Sequence, residues 1–79
     1  MSRFPVARYR DAVKVAKKLG FSFYRMGKGD HEIWGRLSDG RVVVIPHSTG
    51  DIKRKTLKSI FEAFQISPEE FIKLKKGKR

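Results

Sequence analysis

Residues 21–45, FSFYRMGKGDHEIWGRLSDGRVVVI, decide the fold. From Phe21 the hydrophobic pattern alternates, with Phe21, Phe23 and Arg25 on one side of an extended segment and Ser22, Tyr24 and Met26 on the other. Gly27-Lys28-Gly29-Asp30 breaks the run. A second strand is expected from His31 to Leu37, closed by Ser38-Asp39-Gly40, whose Asp-Gly step is a strong hairpin signal. Arg41-Val42-Val43-Val44-Ile45 completes a three-stranded meander, and Pro46 stops it because proline has no N–H to give the ladder. In the second strand alternation sets His31, Ile33 and Leu37 on one side and Glu32, Trp34 and Arg36 on the other. The aliphatic pair marks the first side as the one covered by helices. If the other side is the open one, Trp34 stands there as a base-stacking platform or part of a protein interface, and the position of His31 as the strand's first residue can still leave its ring exposed.

Working outward, residues 5–19 read as a helix, with Val6, Tyr9, Val13 and Ala16 at helical spacing and Arg8, Lys14, Lys17 and Lys18 on other faces. Gly20 ends it as a C-terminal cap would. Residues 47–53 form a loop, after which Leu57, Ile60, Phe61 and Phe64 lay one apolar stripe along a second helix. A short third helix is specified by Ser67 as N-cap, Pro68 at the first helical position, Glu70 closing a capping box and Ile66 stapling onto Phe71. It should end near Lys76, where Lys73, Lys75 and Lys76 suit the negative end of the helix dipole, and Gly77-Lys78-Arg79 should fray. The expected class is α+β, in the order α-β-β-β-α plus a short C-terminal helix. Its three-stranded antiparallel sheet carries the helices on one face, and residues 1–79 make a single domain.

Nineteen Lys and Arg against eight Asp and Glu leave a formal net charge of +11 on 79 residues. Such a balance persists most easily where a polyanion neutralises it, because each cation placed against a phosphate releases a condensed counterion. Nucleic acid is therefore the first partner to consider. With no cysteine, neither a disulfide nor a thiolate metal cage holds the fold, and the apolar core must do so alone. No run is long enough to span a bilayer, and Met-Ser-Arg-Phe-Pro lacks the apolar stretch of a signal peptide, which suits a cytoplasmic protein with no membrane partner.

Cutting RNA without a metal needs a base for the 2′-hydroxyl proton and an acid for the leaving oxygen, and histidine suits either role. The two candidates are His31 and His47. His31 follows Gly27-Lys28-Gly29, where backbone amides can approach a phosphate and Lys28 adds charge; the plain alternative is a hydrogen-bonded histidine at a strand edge. His47, in a polar loop after Pro46, suits a partner acid, a phosphate contact or an ordinary loop residue. Lys53, Arg54 and Lys55 stand at the start of the second helix, where the dipole is positive and cations disfavour themselves. They read either as a phosphate seat or as solvent-screened charges. Metal ligation is not expected, since the histidines lack close ligand spacing.

Several of these elements together resemble the HicA (YcfA-like) family of toxin ribonucleases. They are a helix ending in Gly20-Phe21, then Gly29-Asp30-His31, then Val42-Val43-Val44-Ile45-Pro46-His47-Ser48-Thr49-Gly50, then Thr56-Leu57-Lys58-Ser59-Ile60. Ile66-Ser67-Pro68-Glu69-Glu70-Phe71 is similar to the family's ending. The resemblance implies a fold like the double-stranded RNA-binding domain, metal-independent mRNA cleavage through His31 with no cofactor, and neutralisation by a HicB-like antitoxin. Where the family usually has a hydroxyl residue before that histidine and often a second histidine after it, this chain has Asp30 and Glu32, whose charge is expected to weaken RNA binding locally. Lys28, Lys53, Arg54, Lys55 and His47 are the expected RNA contacts. The alternative function is a noncatalytic RNA-binding module that reads duplex shape with the same fold.

Overall fold

A computed structural model describes residues 4–47 and 49–76. The chain runs through α1 (Tyr9–Lys18), β1 (Ser22–Met26), β2 (His31–Arg36), β3 (Arg41–Pro46), α2 (Arg54–Phe64) and α3 (Pro68–Lys76). The strands pair antiparallel in the order β1-β2-β3. This is the α+β order expected from the sequence, with the extra helix at the end. Ser48 and the expected fraying of Gly77-Lys78-Arg79 lie outside the described residues.

The first helix begins at Tyr9, not at residue 5. Arg8 is extended (φ −115°, ψ 173°), and its N–H donates to the Asp11 carboxylate at 2.9 Å, which sets the start of the helix. The residues before it are drawn onto the loop ahead of α2. Ile52 N–H donates to the Ala7 carbonyl at 2.8 Å, and Arg8 bridges to Asp51. Val6 is consequently exposed, and the buried stripe of α1 is Ala12, Val15 and Ala16, with Tyr9 and Val13 half-buried. Gly20 has φ +92°, the left-handed geometry expected of a residue that stops a helix.

The phase of the sheet is the reverse of the expected one. Trp34 pairs with Val43 and Glu32 with Ile45, and these four side chains are the buried ones, Trp34 at 4% and Glu32 at 8% exposure. His31 is exposed, Leu37 lies in the turn beyond the strand, and Val42 (53%) and Val44 (43%) face solvent. The four-residue apolar run 42–45 offers either of its faces to the core, so it could not set the phase. The indole did, because covering Trp34 removes more apolar surface from water than covering Ile33. A bulge between Phe23 and Arg25 also shifts the β1 register. Phe23 pairs with Trp34 but Arg25 with Ile33, so the two lie on opposite faces rather than sharing one.

Arg36 follows Trp34 toward the covered side. Its guanidinium donates to the Leu19 carbonyl at 2.8 Å and to both Asp39 oxygens at 3.1 and 2.9 Å, and it stacks over Phe21. That hydrogen bonding holds the Asp39 carboxyl down to about 2. Leu57, Ile60, Phe61 and Phe64 of α2 are buried as the spacing requires, and Phe71 of α3 packs its ring 4.9 Å from that of Phe61. The Ser67 hydroxyl accepts the Glu70 N–H at 3.1 Å, as an N-cap does. Two basic residues of α1 are spent on the far end of α3: Lys14 donates to the Lys75 carbonyl at 2.9 Å and Lys18 to that of Leu74 at 2.8 Å. Cations there meet the negative end of the dipole.

Candidate active site

His31 opens β2 directly after the turn from β1. Gly27 N–H donates to the His31 carbonyl at 2.6 Å, and His31 N–H to the Lys28 carbonyl at 3.1 Å. A side chain at Gly27 would sit 3.2 Å from the Ile33 Cδ1 atom, and Gly29 has φ +59°, so both glycines are needed to close the turn. The glycines therefore fix the backbone of His31. The Gly27 amide is committed to that task and is not free for a phosphate, as the sequence reading had allowed. Lys28 is exposed at the turn.

The imidazole lines a groove of about 460 Å³ between β3 and α2. Val42 and Val44 form one wall, while Lys55, Thr56 and Ser59 come from the first turns of α2. Residues 55 and 59, and 56 and 59, are spaced to share a helix face. None of the His31, Lys55, Thr56 or Ser59 side chains has a hydrogen-bond partner among the described residues. The first turn of α2 carries no acidic residue, and its leading amides have no partner within the helix.

The other expected contacts are distributed differently. Lys53 is the exposed N-cap residue of α2, and Arg54 turns away from the groove to lie over the Phe4 ring, 4.7 Å from its centre. His47 N–H donates to the Asp30 carbonyl at 2.8 Å, which continues the β2–β3 ladder past Pro46. Its ring goes to the helix-covered side, 4.4 Å from that of Tyr9, with Nδ1 3.8 Å from Glu32. The structure thus brings His31 and Lys55 together, and it separates His47 and Arg54 from them.

Glu32 does not face the groove. Its carboxylate accepts the Tyr9 hydroxyl at 2.9 and 3.1 Å and the Trp34 indole N–H at 3.0 Å, beneath α1. Burial, and then the bond to Glu32 and its charge, push the Tyr9 phenol above its ordinary value. A buried carboxylate is tolerable only when so many donors meet it. The charge that the sequence set beside the histidine is thereby moved to the opposite face, and Asp30 is left as the one carboxylate in the turn before His31. Thr56 and Ser59 were not singled out from the sequence as site residues. The spacing of Ser59 four residues from Lys55 and three from Thr56 was the signal that could have found them.

These features define a small basic α+β protein in which a groove-lining histidine, His31, faces a cationic helix start. The sequence profile described as HicA toxin of bacterial toxin-antitoxin matches residues 9–66, from the start of α1 through α2, and the chain belongs to that family of toxins. The third helix lies beyond the matched span. No curated protein matches the chain. Among the described residues, no three His, Asp or Glu side chains are grouped to hold a metal ion, and no helix is long and apolar enough to cross a membrane.

Proposed function

We propose that this toxin is an endoribonuclease that cleaves mRNA in the cytoplasm, with His31 as its catalytic residue. One observation carries the reading: an exposed imidazole shares a groove with a lysine and two hydroxyls, and none of these polar side chains has a partner among the described residues. A concavity on which several polar groups converge is where a ligand is first sought.

The chemistry follows from the placement. The 2′-oxygen bonds to phosphorus as the bond to the 5′-oxygen breaks, giving a cyclic phosphate and a free 5′-hydroxyl. His31 supplies one of the two proton transfers, taking the 2′-hydroxyl proton or protonating the leaving oxygen, and water reaching the open groove supplies the other. Lys55 and the free amides at the start of α2 hold the phosphate and favour the charge that builds on its oxygens. Lys28 and Lys53 extend the positive field along the strand's path. His47 and Arg54, tied to Tyr9 with Glu32 and to Phe4, steady the elements around the groove. The antitoxin partner is an acidic, HicB-like protein that covers this field, with electrostatic attraction speeding encounter.

Induced expression tests the reading. The wild type should arrest growth and fragment messages, and His31→Ala should do neither while still folding. Equal fragmentation by both forms would remove His31 from the mechanism. If neither cuts RNA but both bind duplexes with a steep salt dependence, the chain is a noncatalytic RNA-binding module.

A further inference from the structure

We propose that the groove between α2 and β3 admits one unpaired ribonucleotide, so that the RNA it takes is single-stranded, and that the Thr56 and Ser59 hydroxyls are its ribose contacts. This rests on the reading of the groove as an RNA site and narrows its substrate.

Size is the first argument. A cleft of about 460 Å³ lies within the range of roughly 300–1,000 Å³ that encloses one drug-sized ligand, which is the scale of a single nucleotide and far below that of a base-paired helix. Shape is the second. An A-form duplex is convex, with its base edges in a deep, narrow groove and its 2′-hydroxyls along a shallow one, so it cannot enter a concavity at the edge of a sheet. A nucleotide turned out of its stack can.

The lining supplies the third argument. Val42 and Val44 offer an aliphatic wall, suited to the flat face of a base, and the opposite wall carries Lys55, Thr56 and Ser59. Cations alone would serve a phosphate. Two hydroxyls that each donate and accept match a group that does the same, the 2′-hydroxyl, and this group is what distinguishes RNA from DNA. Serine and threonine within a helix commonly bond back to the carbonyl four residues earlier, yet neither of these side chains has any partner among the described residues. The proposed reaction adds a geometric reason. The 2′-oxygen must approach phosphorus opposite the departing 5′-oxygen, and a regular stacked helix keeps it out of line, whereas a splayed nucleotide brings the reacting atoms into register.

The test uses the full chain carrying His31→Ala, so that bound RNA is not consumed. Three labelled probes are titrated by fluorescence anisotropy: a short oligoribonucleotide, the same RNA annealed to its complement, and single-stranded DNA of the same sequence. The single-stranded RNA should bind about tenfold more tightly than the DNA, and more tightly than the duplex. Adding Thr56→Val with Ser59→Ala should bring RNA affinity down to that for DNA and leave DNA affinity in place. Thr56→Ser with Ser59→Thr, which keeps both hydroxyls, should retain the preference. Duplex binding equal to single-strand binding, an RNA preference that survives loss of both hydroxyls, or no binding of any probe at low salt would overturn the proposal. A clear preference for unpaired RNA in a protein whose wild type cuts nothing would leave this inference standing and remove the nuclease reading. Cleavage without the preference would do the opposite.

Discussion

Replacing Glu32 by alanine should destabilise the protein by about 2–3 kcal/mol, and the reasoning can be followed atom by atom. The substitution leaves the buried Trp34 N–H without its acceptor at 3.0 Å and the half-buried Tyr9 hydroxyl without its acceptor at 2.9 Å. An unsatisfied buried donor costs about 1–3 kcal/mol, and a hydrogen bond to a charged group contributes about 1.5–3. Tyr9 recovers part of its loss from water, and removing a buried carboxylate returns part of its desolvation cost, which brings the sum down to the figure given. For a domain of this size the melting temperature should fall by on the order of 10–20 °C. Glu32→Gln should cost only about 1 kcal/mol. Both donors reach Oε1, and an amide oxygen accepts from both while losing the assistance of the charge. Urea unfolding followed by circular dichroism and by the fluorescence of the single tryptophan measures all three proteins. If Glu32→Ala lies within about 0.5 kcal/mol of wild type, as a solvated surface residue would, the assigned phase of the sheet is wrong.

Lys55→Ala should weaken RNA binding and reduce the slope of log affinity against log salt by about 0.7–0.9, the contribution of one phosphate contact, whereas Arg54→Ala should change that slope less and cost about 0.5–1 kcal/mol of stability through its lost contact with Phe4. Asp39 has a folded value of about 2 against about 3.9 when unfolded, so its contribution is fully present above about pH 4 and is lost as pH falls through about 2. Melting temperatures of wild type and Asp39→Asn should therefore converge across that window, and a gap that stays constant would refute the assignment. Gly20→Ala should cost about 1–2 kcal/mol in thermal unfolding, because φ there is +92° and the added methyl meets the Arg36 Cδ atom at 3.3 Å.

The element order was legible because the signals that set it are local. Helical spacing gave way to alternation at Phe21, Asp39-Gly40 closed one hairpin, Pro46 ended the last strand, and Ser67-Pro68 started the last helix. The phase of the sheet was not legible, because it depends on which side chains meet across elements. Ile33 and Leu37 argued for one face; Trp34 won the other, and Glu32 went with it only because Tyr9 on α1 was there to donate. A carboxylate in a strand reads as a surface residue until its donors are known. The start of α1 was lost for a similar reason, since Ala7 and Arg8 are held by Ile52 and Asp51 from more than forty residues away. His31 and Lys55 were legible as chemistry, and what the sequence left unread was that β3 and α2 bring them to one groove and send His47 to the other side.

Incubating purified wild type and His31→Ala with messenger RNA, and analysing the fragment ends, puts the catalytic assignment to trial most directly. Because His31 is exposed, the variant should unfold at the same urea concentration as wild type and cleave at least about a hundredfold more slowly, with wild-type fragments ending in a cyclic phosphate and a 5′-hydroxyl. Undiminished cleavage by the folded variant would contradict the account.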